Sequence, residues 1–180
     1  PLGYDFAISD DADISVTVCE MMALRAARNR GIHVPKETID NGVAYIRKSQ
    51  NPDGGFRYQL VRNAESAFPR SAAAVVGLYS AGAEANREIE QALRYLERHV
   101  PDGEAFRFDA HYHYGQYYAV QAMWHAGGDR WDRWYPAIRD ELSRRQLPDG
   151  SWADATICTE YGTAMALLVL QMPNNYLPIF

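Results

Sequence analysis

Two short stretches and one distant pair in this 180-residue chain carry residue types that do chemistry. The first is Asp10-Asp11-Ala12-Asp13-Ile14-Ser15. Neighbouring carboxyls raise one another's pKa, and burial raises it further, so one member of such a cluster can stay protonated near neutral pH. The plainer role is structural: an Asp just before a helix accepts backbone N–H bonds and favours the dipole. The second stretch is Asp109-Ala110-His111-Tyr112-His113-Tyr114. His-x-His with a nearby Asp is a donor set that zinc accepts, which makes His111 and His113 the candidates for a metal. Without a metal, these side chains line a cavity mouth or pack in a loop. The third pairs Arg70 with Glu160, each placed just before a helix. An Arg there can bind an anionic group, or pair with a loop carboxylate.

Aromatic residues form a fourth group: Tyr112, Tyr114, Tyr117, Tyr118 and Trp124, with Trp131, Trp134 and Trp152. Aromatic faces attract cations and suit an apolar or carbohydrate ligand. They also pack between helices with no ligand at all. Tyr114, Tyr117 and Tyr118 stand at the start of a helix and have the better claim to a cavity, so the ligand-binding candidates are these three with His113, Arg70 and Glu160. The sequence has no Gly-rich phosphate loop, no Gly-x-Ser-x-Gly elbow and no Cys-Gly-Glu-Gln motif. No cofactor is implied.

The elements that must hold these residues recur along the chain. Gln50-Asn51-Pro52-Asp53-Gly54-Gly55-Phe56 returns as Gln146-Leu147-Pro148-Asp149-Gly150-Ser151-Trp152, and Pro101-Asp102-Gly103 lies between them. The triplets begin at 52, 101 and 148, spacings of 49 and 47 residues. Each is a turn with a mechanism: Pro presets φ, Asp bonds its own backbone, and Gly accepts positive φ. Phe56 and Trp152 read as apolar plugs between helices. Ile39, Val43 and Ile46 mark one amphipathic helix, Ile89, Leu93 and Leu96 a second, and Tyr135, Ile138 and Leu142 a third. Pro35 and Pro136 are expected near the first turns of their helices. The segments between are richer in Ala and Gly and read as helices buried on most sides. The expected fold is therefore all-α: tandem helical hairpins in one domain, with repeats at roughly 11–58, 68–108, 111–154 and 158–180.

Composition narrows the partners. Hydrophobic residues make up 47% and charged residues 23%, with a net charge of −5 and no basic run, which argues against nucleic acid. No apolar stretch is long enough to span a membrane. Cys19 and Cys158 are too few for a disulfide scaffold and are expected to be buried. Pro1 stands where an initiator Met would, so a segment upstream is expected.

Gln-x-x-Asp-Gly-x-Trp/Phe after a helix resembles the repeat shared by squalene and oxidosqualene cyclases and protein prenyltransferase β subunits. The runs Phe68-Pro69-Arg70-Ser71, Tyr117-Tyr118-Ala119-Val120-Gln121 and Gln171-Met172-Pro173-Asn174-Asn175 resemble bacterial prenyltransferase/squalene-oxidase repeat proteins. The resemblance implies an α/α toroid, with inner helices around a cavity at their N-terminal ends. A six-pair ring needs roughly 290 residues at this period, so this chain holds about three and a half pairs. A homodimer or further N-terminal hairpins would complete the ring. Asp11 and Asp13 match the first two acidic positions of the cyclase proton-donor motif, with Ile14 at the third. Asp154 and Cys158, four apart with no His after them, do not match the zinc ligands of the prenyltransferases. Two functions follow: a binding or interaction module holding an apolar, mixed or isoprenoid-like ligand in its concave cavity, or an isoprenoid cyclase-like isomerase or lyase with Asp13, helped by Asp11, as general acid.

Overall fold

The computed structural model describes residues 12–61, 65–83, 86–101 and 110–175; Asp11, the Asp102–Gly103 pair and Asp109 lie outside them. Among the described residues the chain is all-helical, with one isolated bridge between Gln50 and Phe56. The helices are α1 (Ile14–Asn29), α2 (Lys36–Lys48), α3 (Phe68–Ser80), α4 (Arg87–Glu97), α5 (Tyr112–Ala126), α6 (Gly128–Arg145) and α7 (Thr159–Leu170), followed by a 3-10 turn at Met172–Asn174.

Local chemistry sets most starts. Asp13, in extended backbone, accepts from Ser15 N at 2.8 Å and Val16 N at 3.0 Å and so caps α1. Asn86 does the same for α4 through Ile89 N at 2.9 Å. Pro35 leads into α2, and Pro69 sits in the first turn of α3. Pro136 departs from expectation. Helix α6 begins at Gly128, so Pro136 lies in its interior. Its ring faces solvent, where water can satisfy the carbonyl that loses its partner.

Helices α1, α3, α5 and α7 lie side by side in chain order; α2, α4 and α6 each pack on the helix before and the helix after. Helix α3 is enclosed by this arrangement, and every residue from Ser71 to Leu78 is buried. Its small side chains let neighbours come close. A Cβ on Gly77 would sit 3.0 Å from Val18 of α1 and 3.1 Å from Ile46 of α2. Helix α4 shows the opposite pattern, burying Ile89, Ala92, Leu93 and Leu96 while Arg87 and Arg94 face water. Arg130 ties α6 to α4: both terminal nitrogens donate to Glu90 at 3.0 Å and Nε donates to Glu97 at 3.0 Å. Helix α7 is less covered than its composition suggests, because no described helix packs on its far side and Ala164 and Leu167 are exposed. Both cysteines are likewise exposed rather than buried. Cys19 lies on the side of α1 that meets Tyr114 and Tyr118 of α5, and Cys158 is the residue before α7.

The two described Pro-Asp-Gly turns are built from the same hydrogen bonds. Gln50 Nε2 donates to Gly54 O at 3.1 Å and Gln146 Nε2 to Gly150 O at 2.9 Å. Asp53 accepts from Gly55 N and Asp149 from Ser151 N, both at 3.0 Å. Phe56 N donates to Ser71 Oγ at 2.8 Å, and Trp152 N to Thr163 Oγ1 at 3.0 Å, so each turn is bolted to the first turns of the next helix. Gly54 and Gly150 hold φ of +92° and +87°. Their surroundings differ: a Cβ on Gly54 would come within 2.4 Å of Gln91 O, whereas on Gly150 the nearest atom is 3.9 Å away. Gly150→Ala should therefore cost about 1 kcal/mol for the left-handed backbone alone. Gly54→Ala should cost about 1–3 kcal/mol more, because a backbone carbonyl must move. Urea unfolding of the two variants checks this, and equal losses would contradict it.

Candidate functional site

The candidate residues gather at the starts of α1, α3, α5 and α7. The chain leaving α2 returns to the start of α1, where Ile14 N donates to Tyr58 O at 3.0 Å. The chain leaving α6 returns to the start of α5, where Asp154 meets His113. Helix starts and turn exits are thus brought to one end of the layer.

Asp13 is half-buried. Its Oδ1 is occupied by the two capping N–H groups, and its backbone oxygen accepts from Thr17 Oγ1 at 2.7 Å. Two phenols flank it. Tyr58 is pushed up by burial, then by the Asp13 charge and a hydrogen bond to that carboxylate. Tyr45, which donates to Ala12 O at 2.6 Å, is pushed up by burial and then by Asp13. Capping is therefore the role that the geometry of Asp13 displays. Asp11 lies outside the described residues.

Tyr114, Tyr117 and Tyr118 form one aromatic group on α5. Tyr114 and Tyr118 meet edge to face at 4.8 Å, as do Tyr117 and Tyr118 at 4.9 Å. The group reaches across α3 to α1, where the Tyr118 hydroxyl lies 3.9 Å from Cys19 Sγ. Burial pushes all three phenols up, so each stays protonated at neutral pH. Tyr114 also closes one side of a surface groove of about 430 Å³, lined otherwise by Ser15, Val16, Cys19, Glu20 and Ala23 of α1. Val16 and Cys19, along this groove, are exposed.

His113 and Asp154 make a pair that the spacing of neither motif announces. The imidazole Nδ1 lies 2.8 Å from Asp154 Oδ2, and both side chains are buried, at 6% and 4% exposure. Oδ1 of Asp154 accepts from Thr156 N and Ile157 N, both at 2.9 Å. Burial pushes the Asp154 carboxyl up, but the bonds from His113, Ile157 and Thr156 outweigh it and hold the pKa below the usual value. The sequence did carry a signal. Asp154 is two residues past Trp152, as Tyr58 is two past Phe56, and both positions point back to the start of the preceding row helix.

The remaining candidates separate. Arg70 lies within the first turn of α3, not before it, and its guanidinium is taken up by Phe56 O at 2.9 Å and Glu65 O at 2.6 Å. It thereby fastens the turn exit to α3. Glu160 lies in the first turn of α7 and is exposed. Its carboxyl is held low by a backbone hydrogen bond and then by Cys158. His111 is exposed, at a left-handed φ of 68° before α5. Among the described residues no group of three His, Cys, Asp or Glu is placed to hold a metal. No described helix is long and apolar enough to cross a membrane.

No protein-family model matches the chain, and no solved structure matches it. Among curated proteins, a drimenyl diphosphate synthase of Streptomyces showdoensis is 32% identical over 94 residues. That stretch is 51% of this chain and 17% of the synthase, so the chain spans under a fifth of that relative's length. This partial similarity to a terpene-cyclase-like enzyme agrees, over its extent, with the resemblance carried by the turn motifs.

Proposed function

We propose that this chain is a terpene-cyclase-like domain of α/α-toroid hairpins that holds an apolar or mixed ligand against the face shared by α1 and α5. The observation that carries this reading is the groove between Tyr114 and the exposed Val16, Cys19 and Ala23. Exposed apolar side chains next to the ring of Tyr114 offer a ligand contact area, with Ser15 and Glu20 as the polar groups at the edge. Apolar surface of this kind left open on a helix face marks an interaction site. A fluorescent farnesyl alcohol titrated into the protein should bind with saturable affinity. Ala23→Glu, which places a charge in the groove, should weaken binding by at least about tenfold. Arg133→Glu, on an exposed position of α6, should leave binding unchanged. Equal affinity for Ala23→Glu and the parent protein would sink the reading.

A second reading has Asp13 as the general acid of an isoprenoid cyclase-like isomerase or lyase. Two observations favour it: the partial similarity to a drimenyl diphosphate synthase, and the half-buried placement of Asp13 between Tyr45 and Tyr58. Asn caps a helix about as well as Asp, so Asp13→Asn should fold with nearly parental stability, whereas Asp13→Ala should lose about 1 kcal/mol. If Asp13 donates a proton, Asp13→Asn should lower turnover of an acyclic isoprenoid diphosphate by about 10²-fold or more. Turnover that survives the substitution leaves Asp13 as a cap alone.

A further inference from the structure

Buried polar atoms without partners collect in the first turn of α5. His113 Nε2 has no hydrogen-bond partner among the described residues, and the side chain is 6% exposed. Gln116, three residues on and 1% exposed, has neither its amide oxygen nor its amide nitrogen paired among the described residues. Residues three apart on a helix share a face, so both side chains leave α5 on the same side. Protein interiors pair nearly all such groups, with protein or with an ordered hydroxyl, because an unpaired buried polar atom costs about 1–3 kcal/mol. The other half of the imidazole is fully specified. Asp154 Oδ1 is committed to two backbone N–H groups, so Oδ2 is the atom that meets His113 Nδ1 at 2.8 Å. A carboxylate oxygen accepts, which puts a proton on Nδ1; in the neutral imidazole that leaves Nε2 as a bare acceptor.

We propose that His113 and Asp154 form a buried proton-accepting site, in which Nε2 of His113 receives the hydroxyl of a water or an alcohol and Gln116 supplies a second hydrogen bond to it. Asp154 is the positioning residue. It sets the tautomer and would balance the imidazolium if the proton crossed from the hydroxyl oxygen to Nε2. The site stands on its own geometry; only the alcohol arm of its test draws on the apolar-ligand reading.

The test is nitrogen NMR of the full chain labelled in histidine. His113 should show the pattern of a proton on Nδ1 and an unprotonated Nε2 that accepts a hydrogen bond. If the occupant is water, a water cross-peak to the ring should be present and farnesol should not move Nε2. If it is an alcohol, farnesol should shift Nε2 in a saturable way. A proton found on Nε2, or a bare Nε2 with no hydrogen bond in either arm, overturns the proposal. Asp154→Asn gives a directional check. Its amide oxygen keeps the Thr156 and Ile157 bonds, which turns the NH₂ toward Nδ1. The tautomer should then reverse completely, with the proton on Nε2 and the acceptor lost. Reversal supports the site, and an unchanged tautomer in a folded variant overturns it. Should Asp154→Asn not fold, the parental spectrum decides alone.

Discussion

Trp152→Ala is expected to cost about 3–5 kcal/mol, the range for emptying a buried aromatic site. The indole is 4% exposed and does two jobs at once. Its ring fills the space between α6 and α7, and its Nε1–H donates to Leu142 O at 2.8 Å. Leu142 is one of the last four residues of α6, whose carbonyls have no partner within the helix. Removing the indole therefore opens a cavity and strips a helix end of its donor. Trp152→Phe separates the two effects: most of the volume stays, only the N–H is lost, and the expected cost falls to about 1 kcal/mol. For a domain with about 5–15 kcal/mol in hand, the alanine variant should show a large drop in its urea midpoint. A loss under about 1 kcal/mol for alanine would mean that the neighbours collapse onto the vacant site, and the plug role would be wrong.

Phe56 fills the matching place without a donor of its own and is fully buried. There Gln50 Nε2 reaches across to Glu88 O at 2.9 Å, a link that the second turn lacks among the described residues. The two turns look alike in sequence because they need the same things: an Asp that bonds backbone, a Gly at positive φ and an aromatic to bury. Those are local demands, and local demands are written in adjacent residues. The same holds for the cap at Asp13 and for the apolar stripe of α4. All-helical architecture follows from such stripes. Closure of a toroid does not, because it depends on how many hairpins assemble and at what angle.

What the sequence hid was each feature fixed by distant packing. The stripe Tyr135, Ile138 and Leu142 marks only the part of α6 that faces the layer. Trp131 and Trp134 extend the same helix toward Gly128, so Pro136 falls inside it. Cysteine is a buried residue on average, yet an average says nothing about which face of α1 Cys19 occupies. Arg70 reads as an anion binder or the partner of a loop carboxylate until Phe56 and Glu65 bring their backbone carbonyls to it. The pairing of His113 with Asp154 joins residues 41 apart. Their separation names no motif; the only trace is the place of Asp154 two residues past the turn aromatic Trp152, and it is the return of the chain from α6 to the start of α5 that brings the two together.

That return makes Asp154 the second position where a large effect is expected. Asp154→Ala removes the partner of a buried imidazole and leaves the Thr156 and Ile157 N–H groups without their acceptor. A hydrogen bond to a charged group contributes about 1.5–3 kcal/mol, so removing the acceptor of three donors should cost about 3–5 kcal/mol. The pH dependence identifies the source. The folded carboxyl titrates below its unfolded value of about 3.9, so its ionised form stabilises the fold at every pH above that value. As pH falls through the lower, folded value, the proton is taken up and the contribution disappears. The gap between parent and Asp154→Ala should then be full at pH 7, nearly full at pH 5, and clearly smaller at pH 2–3, in urea unfolding at each pH. A gap that stays constant from pH 7 to pH 2 would mean that Asp154 acts through shape and neutral hydrogen bonds, and that its charge does not hold His113 in place.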